Sequence, residues 1–260
     1  MNINKSKIEF KNFLTNYNNQ DDLGFDLKVV HTYHVADNAK MIATKLNLSE
    51  EDIELAELIG LLHDIGRFEE LKLIHDFNNT KFDHAEYACK MLFEDNLIRN
   101  FIEEDKYDYI IKTAIKNHNK LAIEDNLDEK SLLHAKIIRD ADKLDNFRVK
   151  KEEKIEAIFP GRVNSINEME ESLISDKIYE AILNNKCVDV HDRVYPLDYW
   201  ICILAFTFDL NFNETLQIVK DNNYINKLID RFNYKNEETK SKMEEIRKII
   251  NNYIDNKIGD

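Results

Sequence analysis

Four histidines and two aspartates of this chain fall where a helix normally places leucine, or directly beside such a position. In residues 26–47 the apolar stripe runs Leu27, His31, Val35, Asn38, Ile42, with His34 next to His31. In residues 50–64 it runs Ala56, Ile59, Gly60, His63, and Asp64 follows at once. His84 leads a stripe with Ala88 and Met91, and His118 closes one built from Ile111, Ala114 and Ile115. Asp142 continues Ala135 and Ile138, with Asp145 one turn later. A single histidine on an apolar face reads most simply as a hydrogen-bonded core residue. Six such groups in one core do not, because an unpaired buried carboxylate is costly or stays protonated. A bound divalent cation is the partner they can share, since it accepts imidazole nitrogen and carboxylate oxygen together and keeps aspartate ionised. The pattern therefore points to a buried metal centre. Its thiolate-free, histidine-rich donors suit one or two ions of Mn, Fe, Co, Ni or Zn better than Mg or Ca.

The elements that must position these residues read as helix after helix. Candidates are 4–18, 26–47, 50–64, 82–96, 106–119, 129–147, 167–184, 197–209, 213–221, 223–232 and 236–256. Ser49, with Asp52 three residues on, resembles a capping box opening the helix that ends in His63-Asp64. Gly66 is expected to end that helix, and residues 66–81 to form an irregular segment, a lid or a plain connection. The His-Asp pair recurs at His75-Asp76 and His191-Asp192, but neither sits on an apolar stripe. Both read as surface pairs, with His75 able to face a pocket from a lid.

Only 5 Gly and 2 Pro in 260 residues leave too few turn residues for a β-rich fold. The expectation is an all-α fold. Three cysteines argue against a disulfide framework and fit a reducing, cytoplasmic setting. No apolar signal core stands in "MNINKSKIEF", and "YWICILAFTF" (199–208) is too short to span a bilayer, so it reads as a buried helix. A net charge of −14 argues against broad nucleic-acid binding but not against one small anion bound beside metal.

The segments "HTYHVADNAKMIATKL", "LLHDIGRF", "DHAEYACKMLF", "AIKNHNK" and "IIRDADKLDNF" together resemble the HD-domain superfamily of metal-dependent phosphohydrolases over roughly residues 25–150. The resemblance implies an HD-type helical bundle with a central metal site over 1–160, and 161–260 as a C-terminal helical extension packed on it. It implies that His31, His63, Asp64 and Asp142 hold one metal. A second would take Asp64, as a bridge, with His84 and His118. No Gly-Tyr-Pro follows, so the substrate of the cyclic-dinucleotide subclass is not implied. Ile65-Gly66-Arg67 after the dipeptide likewise does not match the nucleotide-alarmone hydrolases.

On this resemblance the expected activity is hydrolysis of a phosphoester of a nucleotide or other small phosphorylated molecule, with metal-activated water as nucleophile. Arg67, one turn beyond Asp64, is a candidate for bidentate phosphate contact, against an ion pair with Glu69 or Glu70. Lys143, beside Asp142, is a candidate phosphate contact. Asp145 is a candidate to orient a ligand or accept a proton. Asn119, Lys81 and His34 are further pocket candidates; Arg148 and Arg162 carry no role. Two other readings stand beside this one: a di-iron oxygenase on the same scaffold, and a non-catalytic sensor or interaction module stabilised by metal. In "KMEEIRKIINNYI" the stripe Met243, Ile246, Ile250, Tyr253 reads as packing on the bundle, with a homodimer interface as its alternative use.

Overall fold

The Ser49 N-cap is where the helix of the site begins. Ser49 Oγ accepts from Asp52 N at 3.2 Å and donates to Asp52 Oδ2 at 2.7 Å, satisfying a backbone donor that the first helical turn leaves open. In a computed structural model, which describes residues 1–17, 23–74 and 82–259, every regular element among them is helical, as the shortage of Gly and Pro requires. Packing divides the chain into two units, Met1–Asp142 and Lys143–Asp260.

The first unit holds α1 (Ile3–Leu14), α2 (Leu23–Lys45), α3 (Glu50–Leu62), α4 (Ile65–Ile74), α5 (His84–Cys89), α6 (Ile98–Phe101) and α7 (Asp108–Asn117). It also holds the start of α8 (Glu129–Glu152), inside which the division falls. Helices α2 and α3 pack most closely. A Cβ on Gly60 would stand 2.7 Å from Ala36 Cα, so only glycine lets these backbones approach. Glu57 of α3 is buried and takes Lys7 of α1 at 2.6 Å and Lys40 of α2 at 2.9 Å, tying three helices together.

Two expectations about the stretch after the dipeptide are corrected here. Residues 65–74 are not irregular; they form α4, and 75–81 lie outside the described residues, with His75 and Lys81 among them. Helix α4 forms because Phe68 is anchored among Phe10, Phe13, Tyr17 and Phe25, with ring centroids 5.6–6.2 Å away. Gly66 does not cap α3. It lies within α4, where a Cβ would fall 2.2 Å from His84 O and 2.9 Å from Ala88 N. It is glycine because α4 and α5 meet backbone to backbone.

The second unit holds α9 (Ile155–Ile158), α10 (Ile166–Glu171), α11 (Asp176–Leu183), α12 (Pro196–Ala205), α13 (Asn213–Asp221), α14 (Tyr224–Ile229) and α15 (Glu237–Gly259). The single helix expected over 167–184 is two, because Ser172–Ser175 is extended and Asp198 accepts from Ser175 N and Oγ at 3.0 and 2.5 Å. Helix α12 is buried along most of its length around Trp200. Met243, Ile246, Ile250 and Ile254 of α15 are buried, while Tyr253 is only half-buried and meets Phe208 edge-on. No helix among the described residues is long and apolar enough to cross a membrane.

Candidate metal centre

The six residues singled out on the helical stripes come together in the first unit. His31 sits mid-way along α2, His63 caps the end of α3, and Asp64 stands in the turn to α4. His84 is the first residue of α5, whose N-cap Asp83 accepts from Ala85 N and Glu86 N at 3.1 and 3.2 Å. His118 caps the end of α7, and Asp142 projects from α8.

Helix ends set the aim of two rings. His63 Nδ1 lies 2.7 Å from Gly60 O, and His118 Nδ1 lies 2.6 Å from Ile115 O. Both carbonyls belong to last turns, where a carbonyl has room for a side-chain donor; Ile115 O takes the His118 backbone N–H as well, at 3.3 Å. Donation from Nδ1 turns each Nε2, with its lone pair, inward. Arg139 of α8, 2 % exposed, then pins the end of α7 by donating to Asn117 O at 3.0 Å and Lys120 O at 2.5 Å.

Asp64 is the hub, and its two oxygens face different groups. Oδ2 lies 3.4 Å from His63 Nε2, 3.7 Å from His31 Nε2 and 2.7 Å from Lys28 Nζ. Oδ1 lies 3.4 Å from both His84 Nε2 and His118 Nε2, and 3.8 Å from Arg67 Nε. His31 Nε2 is 3.1 Å from Asp142 Oδ1, and the His84 and His118 Nε2 atoms are 3.1 Å apart. Two donor groups thus have ligand atoms within 4.8 Å of one another: His31, His63, Asp142, and His63, Asp64, His118. The histidines and Asp64 are almost wholly buried; Asp142 at 23 % and Lys28 at 21 % side-chain exposure are where solvent reaches the cluster.

The protonation states suit a cation. Burial alone would raise the Asp64 carboxyl, but Lys28 and His63 outweigh it and hold Asp64 well below the usual carboxylate range. Asp142 is likewise lowered against burial, by its bond to His31. Burial, helped by the Arg67 charge, pushes the His84 imidazole well down, so it is neutral and able to ligate. His63 Nε2 makes no hydrogen bond among the described residues. Two ionised carboxylates and inward-facing imidazole lone pairs form a donor set that fits a divalent transition ion.

The other predicted residues stand as follows. Arg67 is buried and pairs through Nη1 with Glu70 Oε2 at 2.5 Å. Lys143 Nζ meets Asp209 Oδ2 at 2.8 Å, and Asp145 takes Arg148 Nε at 2.6 Å. His34 is exposed; Asn119 is exposed and donates to Asp83. His191 is exposed and paired with Asp189. Lys28 and Arg139 escaped the sequence reading. Lys28 had a signal, standing one turn before His31 on the same face, but a lysine there reads as a solvated neighbour. Arg139 had none, since its targets are backbone carbonyls.

Compared with protein families, residues 29–146 match the model described as HD domain, a span that includes all six residues. No curated protein and no solved structure matches the chain.

Proposed function

We propose, on the premise that residues 29–146 match the HD-domain model, that the chain is a metal-dependent phosphohydrolase acting on a small phosphorylated molecule, of nucleotide type. The observation that carries this reading is the division of the Asp64 carboxylate: one oxygen toward His31 and His63, the other toward His84 and His118. His31, His63, Asp64 and Asp142 would hold one divalent ion, and Asp64 with His84 and His118 a second. Divalent transition ions held there would supply Lewis-acid polarisation of a phosphoryl oxygen and activation of water at neutral pH.

The chain's own residues do the rest. Gly60 O and Ile115 O fix the tautomers of His63 and His118. Lys28 neutralises Asp64 in the metal-free chain; beside cations that take over that task, its ammonium stands at the solvent-reached edge and serves a phosphate oxygen. Arg67, held by Glu70, keeps positive charge next to Asp64 Oδ1. Lys143 pairs with Asp209 and Asp145 with Arg148, so neither is given a part in the reaction.

The test is metal analysis of purified protein, followed by phosphate release from a panel of nucleotides and sugar phosphates with Mn, Fe, Co, Ni and Zn. Asp64→Ala is expected to lose metal and to lose turnover by at least about 100-fold. Lys28→Met is expected to keep metal and raise KM. A wild-type protein that binds no metal, or an Asp64→Ala variant that hydrolyses normally, would sink the proposal. Oxygen consumption by the iron-loaded protein without phosphate release would point to the oxygenase chemistry instead.

A further inference from the structure

The second unit carries a different arrangement. Tyr199 of α12 is faced by two guanidiniums, Arg193 with Cζ 4.3 Å and Arg162 with Cζ 5.7 Å from the ring centroid. In a chain of net charge −14 an arginine normally finds a carboxylate. Among the described residues neither of these two is in an ion pair within 4.0 Å. Asp189, on the same loop as Arg193, turns its Oδ1 to His191 N and Nδ1 at 2.9 and 2.8 Å, and its charge acts on Arg193 from beyond ion-pair distance. A guanidinium has five N–H donors. Arg193 uses its Nε alone, on Val190 O at 2.8 Å, and the Arg162 side chain makes no hydrogen bond among the described residues.

Both arginines stand on turns that are held. Asp198 is fully buried, and its Oδ2 accepts from Val194 N and Tyr195 N at 2.8 Å each, which fixes the chain just after Arg193. Arg162 N and Val163 N close on Phe159 O at 3.1 and 3.2 Å, around Gly161 with φ +69°. Phe159 meets Tyr199 at 5.9 Å and Trp200 at 6.4 Å, so both turns rest on one aromatic layer. Lys150 over Phe159 and Arg231 over Trp200 add positive charge to that layer. Two like charges set against one ring on fixed turns, with most of their N–H donors left to solvent, offer those donors to an anion.

We propose that Arg162 and Arg193, set on Tyr199, form a binding site for a small phosphate-bearing anion, made of residues other than those of the metal centre. A phosphoryl group offers three oxygens and more negative charge than a carboxylate, so it can accept planar forks from two arginines at once. The loop before α12 and the Phe159–Val163 turn then do for this ligand what preorganised donors do generally: little ordering is left to occur on binding.

Calorimetric titration of inorganic phosphate and pyrophosphate into the full-length protein, in chelator and again with the Asp64→Ala variant, tests this. Saturable binding is expected in both, weakened about tenfold or more by Arg162→Glu and by Arg193→Gln. Arg162 is exposed and its only side-chain contact is with the Tyr199 ring among the described residues, so its variant should melt close to wild type. Absence of saturable binding at millimolar phosphate, or binding that Arg162→Glu leaves unchanged, overturns the site. Binding lost in Asp64→Ala but kept in Arg162→Glu would also overturn it, by assigning the anion to the metal centre.

Discussion

At the scale of single residues, the site depends on a hydrogen atom where any other residue has a methyl group. Gly66 lies two positions after Asp64, and a Cβ there would strike the His84 carbonyl oxygen at 2.2 Å. The contact is backbone on backbone, so no side chain can swing away to relieve it. Gly66→Ala must push α5 from α4 and draw His84 away from Asp64 Oδ1. We expect a loss of about 1–3 kcal/mol in urea unfolding, as for other overpacked interiors, and a drop in bound metal toward one ion per chain. Unchanged stability with unchanged metal content would show that the two helices do not meet so closely. The imidazoles were legible in the sequence because they interrupt apolar stripes, and an interruption is visible. Gly66 was misread because glycine marks helix ends and close approaches alike, and one sequence does not say which. Lys28 passed unnoticed for the opposite reason: a charged residue at a helix start looks ordinary until its ammonium is found 2.7 Å from a buried carboxylate.

Among the elements, α2, α3, α7 and α8 were readable from periodicity, and α4 was not. "IGRFEELKLI" has too few apolar residues to declare itself; it is helical because Phe68 is gripped by aromatic rings from α1 and α2, a tertiary cause that no local pattern carries. The junction of α3 with α8, which sets His63 against Asp142, has its own electrostatic signature. Asp52, in the first turn of α3, takes Lys130 Nζ at 2.8 Å and His134 Nε2 at 3.2 Å, both from α8. Burial alone would raise the Asp52 carboxyl, but the bonds from Lys130, Ser49 and His134 outweigh it and bring it down to about 2. A carboxyl lowered on folding stabilises the fold fully above its unfolded value of about 4 and loses that contribution as pH falls toward about 2. His134 is held below the ordinary imidazole value by burial, so its contribution also declines as the unfolded chain gains a proton in mild acid. Asp52→Asn should therefore be about 1 kcal/mol less stable at neutral pH and should lose less than wild type between pH values of about 5 and 3. Denaturant melts at stepped pH measure this directly; parallel curves for the two proteins would mean that the junction is held by apolar contacts alone.

On the scale of the whole molecule, the two units differ in how much they disclosed. The first has to bury charge, and the buried imidazoles and carboxylates of its centre depart from the amphipathic rule in a way that can be read. The second is built from plain apolar stripes on α11 to α15, which specify packing and name no chemistry; its arginine pair becomes meaningful only when two distant turns meet on Tyr199. The same contrast has a thermodynamic consequence. The ligand candidates from His31 to Asp142 come from five helices and the turn after α3, and unfolding separates them, so metal binds the folded chain far better than the unfolded one. Free metal at about 1,000 times its dissociation constant would then add roughly 4 kcal/mol to the unfolding free energy of the unit that holds it. For a chain of this size that corresponds to a rise in melting temperature on the order of 10 °C, reversed by chelator. Scanning calorimetry with Mn or Zn should show the rise in wild type and in Arg162→Glu, but not in Asp64→Ala. An equal rise in Asp64→Ala would mean that the ions stabilise the chain by screening its negative charge, and that the buried cluster of imidazoles and carboxylates holds itself together without them.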